Sequence, residues 1–416
     1  MTAQPTFVGI DFGTTNSTLA VADERGKVAL TRYEVRGQTY DTFRSVIHFD
    51  PDTRQATCGI EGIFAYLDGG SNGRFIQSVK SYLASKSFRS TNVYNRVYTL
   101  EQLIALIVSQ LKAKAQAVPQ RVVVGRPVHF VNDEDDEAGD AFAEGRLRTA
   151  IQAAGFGEVH FEMEPVAAAY QYESTLKKNE LVLIADFGGG TTDLCLIDAG
   201  PEARTLGRKR VRATDGVGLA GDAFDQRIIQ HAIAPQLGRG TKYRVFGGDA
   251  DVPLWLYASL ARWHLLSFLK SPQTMQVLDN IVANAHDKAA LKTLRRIVED
   301  DLGYTLHEAV ERAKVELSRQ DRTAIDFDAG AVQCTITRAD FEAWIAPDLA
   351  RIAAAIDRIT AGVTGIDRVF MTGGTSLVPA VRQLFVDRFG ADKLVGGEEM
   401  TSVGQGLALV ARDVFA

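Results

Sequence analysis

Apolar positions recur along this chain in strand and helix patterns, and the strand pattern carries a repeat. Val8 to Asp23 reads VGIDFGTTNSTLAVAD and Val182 to Asp198 reads VLIADFGGGTTDLCLID. Each runs β-type residues into an Asp-Phe-Gly turn, a Thr-Thr pair and a second apolar strand. A third apolar strand, Arg368-Val369-Phe370, leads into MTGGTSLVP at Met371 to Pro379, where Gly373-Gly374 precedes a predicted helix. The helical pattern is clearest where Leu103, Ile104, Ile107 and Leu111 place a helix over Leu100 to Gln116.

The remaining pattern fills in around these elements. Residues 31 to 98 read as short strands and turns, with a basic helix start near Lys80. Arg121 to Gly125 is a strand stopped by Pro127. The acidic run Asn132 to Glu137 opens a helix reaching Gly155, its carboxylates offsetting the helix dipole with Arg146 and Arg148 nearer the other end. A strand over His160 to Glu162 leads into EPVAAAYQY, a helix with Pro165 in its first turn. The segment DGVGLAGDAFDQRIIQH is a glycine loop followed by a helix begun by Asp222. Residues 235 to 302 read as a helical satellite subdomain holding Trp255 and Trp263.

Composition narrows the class. A chain of 416 residues exceeds one hydrophobic core and implies two domains or lobes. With 46% hydrophobic residues it is an ordinary soluble protein, expected in the cytoplasm and as a monomer. A net charge of -6, with no basic stripe, excludes nucleic acid as the main partner. No apolar run approaches the roughly 20 residues of a membrane span, and no secretory leader pattern opens the chain. Cys58, Cys195 and Cys334 are isolated, and the histidines show no pair at ligand spacing, so neither a disulfide framework nor a zinc site is expected.

The two hairpins carry the chemistry. Glycine in each turn permits positive φ and clears the backbone N–H groups for a phosphate. The Thr hydroxyls add donors, and Asp11 and Asp186 supply carboxylates where a phosphate-bound Mg²⁺ and its waters would sit. Either segment alone is ordinary hairpin chemistry. Together they imply two phosphate-handling hairpins on opposite sides of a nucleotide cleft. The Gly373-Gly374 turn is either a third anion site at a helix N-terminus or a plain strand-to-helix connection. Glu311, Lys314 and Ser318, spaced by three and four, share one helical face; they suit one ligand, or a surface ion pair with a bystander Ser.

These residues resemble the nucleotide-binding domain of the heat-shock-70 (DnaK) chaperones, within the actin-like ATPase superfamily, over almost the whole chain. GIDFGTTNS is similar to the first phosphate motif, with Asp11 at the metal and Gly13, Thr14, Thr15 and Asn16 at the phosphates. FIQSVKSYLAS resembles the segment of the catalytic lysine, here Lys80, which orients the attacking water. VVVGRPVHF resembles the strand with the switch proline, Pro127, and EPVAAAY the first connecting motif, with Glu164 as the acid near the metal. ADFGGGTTD is similar to the second phosphate motif: Asp186 faces the metal through waters, and Gly188, Gly189, Gly190, Thr191, Thr192 and Asp193 surround the phosphates. Thr191 joins Lys80, Glu164 and Asp186 as the catalytic group. The loop before the next helix supplies Gly218, Gly221 and Asp222. HEAVERAKVELS resembles the ribose helix with Glu311, Lys314, Val315 and Ser318, and MTGGTSLVP the adenosine motif with Gly373, Gly374, Thr375 and Leu377.

The resemblance implies an α/β actin-like ATPase fold: two lobes, each with a ribonuclease-H-like core and a peripheral subdomain, with the nucleotide cleft between them. Lobe I takes residues 1–178, with a peripheral subdomain about 32–105, and is completed by 400–416. Lobe II takes 179–399, with the helical subdomain about 235–302. Val315 and Leu377 stand where the family clamps adenine with two arginines, and Met400-Thr401-Ser402 where it has an acid. The chain closes at Ala416 without a family peptide-binding domain, a pattern similar to short YegD-type relatives. The expected function is an ATP/ADP-binding, Mg²⁺-dependent slow ATPase acting as a conformational switch, with co-chaperone-like or other protein partners. A nucleotide-dependent scaffold or actin-like filament protein and a small-molecule kinase on the same fold are the alternatives.

Overall fold

The computed structural model describes residues 6–69, 73–115, 119–130, 137–173, 176–396 and 401–416. Most of the acidic run from Asn132 lies outside these residues, as does Met400. The chain divides into two compact units. One comprises Met1–Ala65, Phe75–Gly221 and Leu349–Ala416, the other Tyr66–Arg74 and Asp222–Asp348. Both Asp-Phe-Gly hairpins therefore fall within the first unit.

That unit is built on two sheets of matching topology. Strands β1 (Thr6–Phe12), β2 (Asn16–Asp23), β3 (Val28–Leu30), β4 (Arg121–Arg126) and β5 (Glu158–Met163) pair in the order β5-β4-β1-β2-β3, with Phe43–Arg44 also beside β2. Strands β6 (Glu180–Phe187), β7 (Thr192–Ala199), β8 (Val211–Val217), β9 (Arg368–Thr372) and β10 (Leu394–Gly396) pair in the order β8-β7-β6-β9-β10. In each sheet a central antiparallel hairpin is flanked by parallel strands on one side and an antiparallel strand on the other. The repeat in the sequence is thus a repeat of a whole five-strand pattern.

Burial explains the composition of these strands. β6 is buried continuously from Leu181 to Phe187, and β1 from Phe7 to Ile10, so their apolar residues run on rather than alternate. Helices α1 (Leu100–Ala113), α2 (Glu137–Ala153), α3 (Glu164–Glu173) and α4 (Ser402–Phe415) complete the packing. Thr99 opens α1 with a reciprocal cap: its hydroxyl accepts from Gln102 N while Gln102 accepts from Thr99 N. The helix buries Leu103, Ile104, Ile107 and Leu111 against Val8, Ile10 and Phe12 from β1 and Leu147 and Ile151 from α2.

A second core joins the two sheets. Ala167 to Ala169 of α3 and Leu407 to Ala411 of α4 share it with Ala20 and Val123 from the first sheet and Val182, Ile184, Cys195 and Ile197 from the second. Small residues let these elements touch backbone to backbone. A Cβ on Gly406 would lie 1.8 Å from Ala167 O, and one on Gly9 would lie 2.2 Å from Ala408 N. Alanine at either position would overpack the core at a cost on the order of 1–3 kcal/mol.

The second unit contains the helices Leu254–Leu260, Pro272–Asn284, Lys288–Glu299 and Gly303–Leu317. It also contains two hairpins, Lys242–Val245 with Gly248–Asp251 and Arg322–Phe327 with Val332–Thr337. The first hairpin corrects the reading of 235–302 as purely helical. Its four-residue strands are largely exposed, so no alternation of apolar residues marks them. Among the described residues no helix is long and apolar enough to cross a membrane.

Candidate phosphate and metal site

The site grows from the tips of the two hairpins. Asp11 stands near the end of β1, and Asp186 near the end of β6, opposite Asp193 across the β6-β7 ladder and in register with Thr372 on β9. The turns beyond them, Gly13 to Asn16 and Gly188 to Thr191, are half-buried to exposed, as ligand-facing turns must be. The turns approach one another: a Cβ on Gly190 would lie 3.7 Å from Thr14 Oγ1. The first turn is braced by Ser45, whose N–H donates to Thr15 O at 2.9 Å and whose Oγ donates to Gly13 O at 2.8 Å. In the second turn Gly188 N donates to Thr191 O at 2.9 Å.

Lys80 and Glu164 form an ion pair that interacts with Asp11 and Asp193. Lys80 lies in a 3-10 turn over Val79–Tyr82, and Glu164 is the first residue of α3. Lys80 Nζ donates to Glu164 Oε1 at 2.7 Å, with side chains only 11% and 9% exposed. Gly125 on β4 makes room for this contact, since a Cβ there would lie 3.0 Å from Glu164 Cγ. Burial opposes the Lys80 charge, but Glu164, Asp11 and Asp193 overrule it and raise the lysine pKa.

The carboxylates are short of positive charge. Burial first, then Glu164, pushes Asp11 up to about 7, although Lys80 pulls the other way. Burial and Glu164 likewise bring Asp193 to about 7, against hydrogen bonds from Thr191 and from the Val128 backbone. Asp186 is raised well above the usual range by burial and by Glu164, Asp193 and Asp11. Four acidic groups around one ammonium favour either retained protons or an added cation. Among the described residues no three His, Cys, Asp or Glu side chains form a group that would hold an ion directly. A hydrated divalent ion between Asp11 and Asp186 fits this deficit of charge.

The other expected residues take more varied places. Asp193 Oδ1 accepts from Val128 N at 2.6 Å, tying the segment after Pro127 to the second hairpin. Thr192 corrects an expectation: it is fully buried and its hydroxyl donates to Leu219 O at 2.8 Å, so its side chain serves the strand rather than an anion. Its position on β7 turns it to the core, while Thr191 stays in the turn. Thr191, Asp193 and Gly218 also border a cavity of about 500 Å³ that Asp215, Arg351 and Arg358 help to line. Arg358 is held by both oxygens of Asp215. Gly373 has φ +84, and a Cβ there would lie 2.0 Å from Phe187 O, so only glycine fits beside the second hairpin. A 3-10 turn over Gly374–Leu377 intervenes before helix Pro379–Phe389, with Thr375 buried and Leu377 exposed.

In the second unit Glu311, Lys314, Val315 and Ser318 lie along Gly303–Leu317 and its C-terminal cap. Lys314 Nζ is held at 2.7 Å by Asp225, which is 2% exposed. Burial pushes Asp225 up to about 7 against the pull of Lys314, with Glu311 and Asp222 adding to the rise. Ser318 Oγ donates to Lys314 O at 3.2 Å, and Val315 is exposed. Gly221 opens helix Gly221–Ile228, with Asp222 in its first turn.

Ser45, Val128 and Asp225 were not singled out from the sequence. The first two act through backbone atoms or from a different strand segment, which no local pattern announces. Asp225 sits three residues after Asp222 in the GDAFD segment, which was its only signal. A family model described as Hsp70 protein matches residues 75–242 and 277–413, well over half of the chain. The match takes in Lys80, Glu164, Asp186, Glu311 and Gly373, and leaves out the first hairpin and residues 243–276.

Proposed function

The chain belongs to the Hsp70 family, and from that membership we propose that it is an ATP-binding, Mg²⁺-dependent ATPase of slow turnover that works as a nucleotide-driven switch. The observation that carries this reading is the Lys80–Glu164 pair set among Asp11, Asp186 and Asp193. A cluster of buried acids with too little positive charge is built to receive a cation, and the glycine turns beside it offer N–H donors to the anion that accompanies one.

In this reading Asp11 and Asp186 would hold a hydrated magnesium ion through its waters. Bound there, the ion would neutralise charge on the β- and γ-phosphates and on the departing oxygen. The backbone N–H groups of Gly13, Thr14, Gly189 and Gly190 take the phosphate oxygens, with the Thr14, Thr15 and Thr191 hydroxyls. Lys80, fixed by Glu164, orients the attacking water beside Asp186 and Thr191. Phosphoryl transfer asks mainly for positioning and charge neutralisation, so this set suffices without a strong base. The Asp193 to Val128 hydrogen bond gives the phosphate site a mechanical link to the Pro127 segment, a route by which nucleotide state alters the first sheet.

The experiment is phosphate release from ATP with no acceptor added, with and without Mg²⁺. Stoichiometric, magnesium-dependent release of ADP and phosphate supports the proposal. Release only in the presence of a sugar or other acceptor would favour a kinase. Binding without release would favour a nucleotide-dependent scaffold.

A further inference from the structure

Lys80 is the group on which turnover rests in the function proposed above, yet its own backbone has little regular structure. Its 3-10 turn is four residues long, and no regular element follows until strand Ser90–Val93. The preceding residue but one, Ser78, is buried with φ 55 and ψ 33, a left-handed conformation that a side chain adopts only when its surroundings impose it. Something outside the turn must hold this loop.

Arg146 of α2 is that element. Its Nη1 donates to Tyr82 O and Ser85 O at 3.2 Å each and to Leu83 O at 3.5 Å, and its Nη2 donates to Phe88 O at 3.2 Å. Its Nε donates to Glu101 Oε1 at 2.5 Å, in the first turn of α1. The Arg146 side chain is 10% exposed and that of Glu101 22%, so these hydrogen bonds are only partly open to competing water. Four carbonyl oxygens that follow Lys80 thus converge on one planar cation, which is itself locked to α1 and α2. A lysine, with a single ammonium and no fork, cannot span four carbonyls and a carboxylate at once.

We infer that Arg146 is the positioning residue for Lys80: it gathers the carbonyls of Tyr82, Leu83, Ser85 and Phe88 and so sets the turn that delivers Lys80 to Glu164. The inference rests on the catalytic role of Lys80 in the proposed function. Arg146 touches no nucleotide in this account, and its influence on turnover passes entirely through the backbone of the Lys80 loop.

The test is a double-mutant cycle in the full chain with Lys80→Ala, Arg146→Ala and the pair, with Arg146→Lys added in case the alanine variant folds poorly. Single-turnover ATP hydrolysis and ADP affinity are measured for each. Misplacement of a catalytic group by about 1 Å costs roughly 100-fold, so Arg146→Ala should lower the hydrolysis rate by about 10- to 100-fold with ADP affinity within about threefold of the parent. In the Lys80→Ala background the second substitution should cost nothing further, and millimolar guanidinium should partly restore Arg146→Ala but not Lys80→Ala. A parental rate in Arg146→Ala, or losses that simply add, would overturn the inference while leaving the function standing. A parental rate in Lys80→Ala would overturn both.

Discussion

Lys80 and Glu164 are separated by 84 positions in sequence and meet at 2.7 Å with both side chains largely buried. The contact joins a loop that precedes the first long helix to the first residue of α3, the helix that packs against both sheets. The Lys80 ammonium pulls against the raised pKa values of Asp11, Asp186 and Asp193, and in the proposed function its removal should be felt in chemistry more than in binding.

Lys80→Ala should therefore reduce hydrolysis by about 100-fold or more, the scale of removing a preorganised charge aimed at a transition state, with ATP affinity largely kept. Rapid-quench turnover and equilibrium titration separate the two quantities. Equal losses in both would move Lys80 out of the catalytic role.

The acids predict a pH dependence. In the metal-free protein Asp11 and Asp193 hold protons up to about pH 7, whereas carboxyls in the unfolded chain lose them near 3.8. The folded state binds more protons in that window, so these groups make stability fall as pH rises from about 4 to about 7. Asp11→Asn should flatten that fall in urea denaturation midpoints taken at pH 5 and 7.5, and Mg²⁺ should offset it at pH 7.5. An unchanged difference between the two midpoints in Asp11→Asn would show that Asp11 does not titrate as described.

Base recognition offers a separate test. Val315 and Leu377, the two positions expected from the sequence to meet the adenine, are exposed, at 46% and 44%. Arginine stacking on an aromatic face contributes roughly 0.5–2 kcal/mol per contact. Val315→Arg and Leu377→Arg should each tighten ATP binding, and together by roughly one to three powers of ten at 1.4 kcal/mol per decade. The parent should discriminate weakly between ATP and GTP. Nanomolar ATP affinity with strict rejection of GTP in the parent would refute this account of the two positions.

The sequence made the two hairpins legible because both central strands are buried along their length and both turns carry glycine and threonine. What it did not disclose follows from distance and from backbone atoms. Arg146 read as a complement to the helix dipole, since nothing local shows that the carbonyls of Tyr82 to Phe88 lie around it. Thr192 repeats Thr15 in sequence, yet it begins a strand that is buried continuously to Ile197, and its hydroxyl donates to Leu219 O. The hairpin at Lys242 to Asp251 has no signature in the sequence because its strands bury almost nothing. Glu311 and Lys314 lie on the helix that their spacing implies, with Ser318 at its C-cap, but Asp225, which holds Lys314, comes from another helix.

The most direct measurement of the central claim is calorimetric titration of ATP into the parent protein with Mg²⁺ and again with a chelator, with Asp11→Asn as the comparison. The charge deficit among Asp11, Asp186 and Asp193 predicts binding at least about tenfold tighter with Mg²⁺, uptake of the ion with release of protons near pH 7, and a much smaller magnesium effect in Asp11→Asn. Equal affinity with and without the ion, or a full magnesium effect in Asp11→Asn, would contradict it.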